Sequence, residues 1–214
     1  MSRKRLGILI SGRGSNMEAL LKAAADPAWA AEPVVVIANR PGAGGLARAE
    51  SYGVKTFAID HRPYGKDREA FERDLDLWLR REGVELIALA GFMRVLTPWF
   101  VTAWDGKLIN IHPSLLPKYP GVDTHEKVLA AGDPVHGCSV HFVTAGVDEG
   151  PVIGRAEVDV KPGDTTETLA ARVLKAEHVL YPRCVAAVAA GWDGLSQFER
   201  VDVEGDVVRL TVPR

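Results

Sequence analysis

The sequence predicts an α/β fold, a Rossmann-like three-layer sandwich whose mostly parallel sheet becomes mixed in the C-terminal half. Three observations carry this. As far as Ala90, short apolar runs alternate with segments of helical periodicity, and strands alternating with helices imply a parallel sheet covered on both faces. The first of these runs, Leu6 to Ile10, breaks into Ser11-Gly12-Arg13-Gly14 before a helix, the pattern of a buried strand entering a tight loop. Past Gly91, strand-like runs follow one another with frequent Pro and Gly between them, so the sheet is expected to become mixed there.

Each element has its own signal. Ser15 and Glu18 have the spacing of a capping box, and Met17, Leu20, Leu21 and Ala24 recur on one helical face. Val34 to Ala38 reads as a second strand, Gly45 to Ser51 as a short helix and Val54 to Ile59 as a third strand. Asp67 can cap a helix that turns Phe71, Leu75, Trp78 and Leu79 inward and stops at Gly83, before a strand over Glu85 to Ala90. Lys107 to Ile111, His136 to Thr144 and Val152 to Val160 are the later strands. Asp164 and Glu167 are placed to cap a long helix carrying Leu169, Val173, Leu180 and Val188, with Pro182 expected to bend it. Two short alternating runs near Phe198 and Val207 are expected to close the chain as a hairpin. With no repeat and no convincing linker, one domain over 1–214 is expected.

Composition narrows the function. A 214-residue chain with 47% hydrophobic and 25% charged residues can bury a substantial core. Its net charge of -2, with both signs interspersed, leaves no basic stripe for nucleic acid or an anionic membrane, so small-molecule partners are expected. Cys138 and Cys184 lie far apart with no CxxC, which supports neither a disulfide framework nor a zinc ribbon and fits a reducing compartment. Arg3, Lys4 and Arg5 precede an apolar stretch that stops at Ser11-Gly12, too short for a signal peptide or a membrane span, so a cytoplasmic protein is expected.

Two constellations carry chemistry. A glycine loop between a strand and a helix gathers unpaired backbone N–H groups at the positive helix end, which suits a phosphate. Met17 stands where a dinucleotide fingerprint wants its third glycine, and no Gly-Lys-Ser or Gly-Lys-Thr follows, so a monophosphate is the simpler ligand. A tight turn without a ligand accounts for this loop alone equally well. In Leu108-Ile109-Asn110-Ile111-His112-Pro113, Asn110 and His112 leave the same strand face, roughly 6 to 7 Å apart at about 3.3 Å per residue. Pro113 ends the strand there, at a carboxyl end where open α/β sheets place ligands. Asp148 falls in a strand-to-strand turn, and a carboxylate beside His112 is expected to raise its pKa and fix its ring. A satisfied buried Asn–His pair and a turn Asp bonding its own backbone are the plainer readings of these residues. No metal is expected: His112, His125 and His141 lack a recognised ligand spacing, and His141 is read as a supporting or core histidine.

Five segments in order, Ile-Ser-Gly-Arg-Gly-Ser-Asn, Ala-Gly-Phe-Met-Arg-Val-Leu, Asn-Ile-His-Pro-Ser-Leu-Leu-Pro, His-Gly-Cys-Ser-Val-His-Phe-Val and Asp-Glu-Gly-Pro-Val-Ile, cover nearly the whole chain. Through them the sequence resembles the phosphoribosylglycinamide formyltransferases, folate-dependent enzymes of purine synthesis. The resemblance implies transfer of a formyl group from 10-formyltetrahydrofolate, the co-substrate, to the amine of glycinamide ribonucleotide by direct attack through a tetrahedral intermediate. It implies a phosphate and ribonucleotide half over 1–100 and a catalytic and folate half over 101–190. Gly14, Ser15 and Asn16, with Met17 and Glu18 beside them, would bind the ribonucleotide phosphate, and Glu177 its ribose or glycinamide end. Met93, Arg94, Val95, Leu96 and the loop from Thr144 to Asp148 would cradle the pterin, with Arg68 on the folate tail. Asn110, His112 and Asp148 would be catalytic: a His112 held protonated by Asp148, together with the Asn110 amide, would stabilise the oxyanion, and Asp148 would relay the amine proton. Any self-association is expected as a homodimer.

Two departures from the family pattern stand out, Asp123 where a His or a small residue is expected and Ala145 where an acidic one is common. Three rivals have distinct signatures. A hydrolase of the same fold has no use for a phosphate loop, an oxidoreductase would carry a nicotinamide, and a binding module leaves Asn110, His112 and Asp148 without a purpose. Related folate enzymes carry an additional N- or C-terminal domain, for which this chain is expected to have no room.

Overall fold

The structure, a computed structural model, describes residues 2–192, 194 and 196–213. In chain order the elements are β1 (Lys4–Ile10), α1 (Ser15–Ala23), β2 (Ala31–Ala38), α2 (Gly44–Ser51), β3 (Lys55–Ala58), α3 (Arg68–Arg81), β4 (Leu86–Leu89), α4 (Pro98–Ala103), β5 (Leu108–His112), α5 (Thr124–Ala131), β6 (Val135–Phe142), β7 (Val152–Asp159), α6 (Thr166–Ala189), β8 (Ser196–Val203) and β9 (Asp206–Pro213). Among the described residues nine strands join one sheet in the order β3-β2-β1-β4-β5-β6-β7-β9-β8. The strands from β3 to β5 pair in parallel, and every pairing from β5–β6 onward is antiparallel. The mixed α/β sheet is therefore as expected.

Alternation along the strands sorts the core into two layers. Ile8, Ile10, Ala88, Ile109 and Val140 pack with α1 and α6 on one face, whereas Leu9, Ile37, Ile87 and Leu89 meet Phe71, Leu75 and Phe100 of α3 and α4 on the other. Tyr181, fully buried in α6, donates its hydroxyl to the Leu89 carbonyl at 2.8 Å, so the large ring enters the core with its polar atom satisfied.

Some local signals resolve differently from expectation. The Ser15–Glu18 capping box does not form: α1 starts one residue earlier, with Gly14 as its cap at φ 71, and Glu18 turns out to Arg48, Lys22 and Tyr52. At α6 the capping box belongs to Thr165 and Thr168, while Asp164 takes the Arg172 guanidinium at 2.8 Å. α6 runs unbroken through Pro182. The short helices α4 and α5 lie where only strands and loops were expected. The closing hairpin is present, with Val203 opposite Asp206.

The order β2-β1-β4 puts the switch point of the sheet between β1 and β4, and their following loops meet there. Ser11 N donates to the Gly91 carbonyl at 3.1 Å, and Met93 N donates to Ser11 Oγ at 2.8 Å. Such a crevice beyond the strand ends is where this kind of sheet places ligands.

Candidate active site

β5 ends on His112, so Asn110 and His112 face the same side at the last turn of the pleat, with Ile109 and Ile111 buried behind them. The antiparallel partner β6 sets His141 opposite Asn110 and Ser139 opposite His112. The loop from β6 to β7 folds back over this face and delivers Asp148, whose Oδ2 lies 3.3 Å from His112 Nδ1 and whose Oδ1 lies 3.6 Å from His141 Nε2. The expected three residues are thus in one place, and His141 joins them: Asn110 Nδ2 stands 3.3 Å from its Nε2. Asp148 adopts φ 56, a conformation that costs a non-glycine residue energy, and its Oδ2 also accepts from Gly121 N at 2.9 Å. That bond ties the loop over the site to the loop beneath it.

The protonation of His112 differs from expectation. Burial pulls its imidazole below the ordinary value; the Tyr119 carbonyl on Nε2 and the Asp148 charge pull upward and lose. A carbonyl only accepts, so the proton of the neutral ring sits on Nε2, 3.0 Å from Tyr119 O. Nδ1 then presents a lone pair to a carboxylate, which is the natural place for the next proton. For Asp148 burial raises the pKa, but the hydrogen bond from Gly121 and the two nearby histidines outweigh it, and the carboxyl lies below its usual range. The pair is a neutral imidazole beside a carboxylate, ready to take one proton between them.

A cavity of about 720 Å³ opens in front of these groups. Its walls include Asn110, His112, Asp148, the 91–96 loop, the 144–148 loop, Asn16 and Glu177. The apolar rim is unusual for an exposed surface: Met93, Val95, Val122 and Val147 are 70, 56, 61 and 52% exposed, and all four border the cavity. Side chains of that kind left in water around a cleft suit a flat, largely apolar ligand group.

At the other end of the cavity α1 and α6 meet. Glu177 is the one acid on the buried face of α6, and Asn16 Nδ2 donates to its Oε2 at 2.6 Å. Burial raises the Glu177 carboxyl to about 7, against the lowering effect of the Asn16 bond. Asn16 Oδ1 is buried with no hydrogen-bond partner among the described residues, a polar group that a ligand donor would satisfy. Gly14 and Ser15 lie beside the cavity rather than in its wall, at the start of α1, where first-turn N–H groups have no carbonyl of their own helix to bond. A Cβ on Gly14 would stand 3.2 Å from Gly45 Cα, so this turn keeps its left-handed shape against a second glycine.

Met17 and Glu18, grouped with this loop by sequence, have other partners. The Met17 side chain is fully buried in the core, leaving only its N–H for a ligand, and Glu18 would repel an anion. Arg68 lies outside the cavity wall but beside its mouth, donating to the Val95 carbonyl at 3.4 Å, while Arg94 stacks over Phe71 with its guanidinium 5.0 Å from the ring. Asp123, the residue that departs from the family pattern, also lines the cavity, at φ 59. Among the described residues no cluster of three or more His, Cys, Asp and Glu could hold a metal ion.

Sequence reasoning missed two residues that shape the site. Glu72 is 2% exposed and accepts from Thr97 N at 2.9 Å and from its hydroxyl, pinning the end of the 91–96 loop. Its signal was present: an acid next to Phe71 and one turn before Leu75 interrupts the apolar face of α3. Tyr119 contributes only its carbonyl, which no side-chain pattern reveals.

The comparisons with known proteins show the family. A family model described as formyl transferase matches residues 4–185. The trifunctional purine biosynthetic protein adenosine-3 of Gallus gallus is 47% identical over 190 residues, which are 89% of this chain and 19% of that protein, so the chain spans about a fifth of that relative's length. The phosphoribosylglycinamide formyltransferase of Escherichia coli (strain K12) is 43% identical over 184 residues, 86% of each chain. Among solved structures, the phosphoribosylglycinamide formyltransferase from Brucella melitensis shares 47% identity at a TM-score of 0.85, covering 90% of this chain and 98% of its own. On a match over residues 4–185 and 43% identity along 86% of both chains, the chain belongs to the formyl transferase family, in its phosphoribosylglycinamide formyltransferase group.

Proposed function

We propose that the chain transfers the formyl group of 10-formyltetrahydrofolate to the amine of glycinamide ribonucleotide. The observation that carries the reading is one cavity with two unlike ends: an apolar rim beside Asn110, His112 and Asp148, and a polar end where Asn16 and Glu177 meet the free N–H groups of α1. A pterin suits the first and a phosphorylated ribose the second, so the amine and the formyl carbon would meet at β5.

The amine attacks the formyl carbon, a C–N bond forms, and the carbonyl oxygen takes up negative charge. Asn110 Nδ2 supplies one donor. His112 supplies another by exchanging the Tyr119 carbonyl for the substrate oxygen at Nε2, while a proton on Nδ1 is held by Asp148 and makes the ring cationic. A donor of this kind contributes roughly 3 to 4 kcal/mol. Substrate binding therefore raises the His112 pKa that burial lowers in the free protein. Asp148 then passes the amine proton toward the folate nitrogen as the bond between that nitrogen and the formyl carbon breaks. Gly14, Ser15 and Asn16 bind the phosphate, Glu177 the glycinamide or ribose, Met93 to Leu96 and the 144–148 loop the pterin, and Arg68 the acidic folate tail. A cytoplasmic location and a homodimer belong to the same proposal.

The test is a spectrophotometric assay of folate release with and without the ribonucleotide. Release only with the ribonucleotide is expected. Release in its absence would make the protein a hydrolase, and release in neither case would end the proposal.

A further inference from the structure

The C-terminal hairpin lies beyond the residues matched by the formyl transferase model, and no candidate site residue comes from it. β8 is the last strand of the sheet and pairs with β9 at all eight positions without a register shift. Glu204 and Gly205, at φ 54 and 85, form the two-residue turn, whose flanking pair, Val203 and Asp206, is the hydrogen-bonded kind. Such pairs recur at every second residue, so Gln197, Glu199 and Val201 bond inward to β9. The backbone groups of Phe198, Arg200 and Asp202 then point into the open edge.

An open edge is a template for another strand, and sheets usually blunt it with charges of one sign, above all lysine, with proline or with a bulge. β8 has no lysine, proline or bulge, and Phe198 is 63% exposed. Its charges alternate in sign instead, and Arg200 makes no ion pair among the described residues. A two-fold axis perpendicular to the sheet brings residues of like facing together. Centred on Arg200 or on Asp202, such a pairing sets like charges against each other; centred on Glu199, it sets that acid against itself. Centred on Phe198, it leaves Arg200 and Asp202 without opposite charges. Centred on Val201, Arg200 of each copy meets Asp202 of the other, Val201 meets Val201, and Arg200 and Asp202 are the residues whose outward amides and carbonyls can bond.

We propose that two copies of this chain join edge to edge through β8, antiparallel and centred on Val201, into one continuous sheet. This rests on the homodimer proposed above and names its surface. The paired stretch, 199–203 on each side, is far shorter than the roughly 20 to 30 residues of a standard interface, so the association is reversible and weakened by salt.

Sedimentation velocity over a concentration series at low salt tests it. Wild type is expected to show a monomer–dimer equilibrium. Arg200→Pro removes an amide that points to solvent rather than to β9, so it should keep the fold and the specific activity but weaken the dimer about tenfold or more. R200D and D202R should each be monomeric alone. Mixed together they should dimerise, because one strand then carries two acids and the other two bases. A wild-type dimer that all three variants retain would place the interface elsewhere and overturn the surface while leaving the homodimer standing. A wild type that stays monomeric throughout would overturn both.

Discussion

His112 shows how burial and a neighbouring charge compete at one residue. A carboxylate at 3.3 Å would by itself raise an imidazole, yet the ring is buried deeply enough that its pKa falls. Glu177 makes the complementary case testable without substrate. Folded, it holds its proton to about pH 7; its ordinary value is 4.5. Between those values Glu177 binds more protons in the folded state than in the unfolded one, so its contribution to stability declines as pH rises from about 4.5 to 7. Glu177→Gln should make stability at pH 7 relative to pH 5 more favourable than in the wild type, measured by urea unfolding at the two pH values, and an unchanged difference would mean that the carboxyl is ionised throughout. His136 has the opposite sign: burial lowers it from 6.5 to about 4, so it contributes stability that is lost as pH falls through that window.

At the scale of elements, the site is held by loops that particular side chains anchor. Glu72 on α3 fixes the end of the 91–96 loop through Thr97, and burial raises its carboxyl despite the Thr97 bonds. Glu72→Ala leaves the Thr97 N–H without its partner and should cost about 1–3 kcal/mol in denaturant unfolding. Under the proposed function it should also raise KM for the folate more than it lowers kcat, because the loop borders the cavity but does not touch the reacting atoms. Equal losses in both would assign Glu72 a more direct part. The same elements show what the sequence reveals. β1, β4 and β5 were legible because runs such as Leu6 to Ile10 bury both faces and end at glycine or proline. α4 and α5 were not: each is short, at six and eight residues, and lies among the prolines and glycines that follow Gly91, where the pattern reads as strands and loops, whereas the equally short α2 sits between two clear strands. The cap of α1 was misplaced because the left-handed Gly14 does the work without a side chain.

For the whole molecule, Asn110 and His112 were legible as a pair because a two-residue spacing on a strand fixes a shared face. That Asp148 reaches them, and that His141 faces Asn110, depends on an antiparallel turn after five parallel strands, a relation that local patterns do not encode. The sheet therefore does two things: it aligns the strand ends of its parallel half into a cleft, and it carries β6 and its loop back over that cleft. The most informative measurement is single-turnover formation of the formylated ribonucleotide, followed by mass spectrometry, in wild type and His112→Ala. The geometry calls for product in the wild type at a rate that falls roughly 100- to 1000-fold in the variant while ribonucleotide affinity stays the same. Equal rates in the two proteins would remove His112 from the chemistry and, with it, the mechanism built on β5.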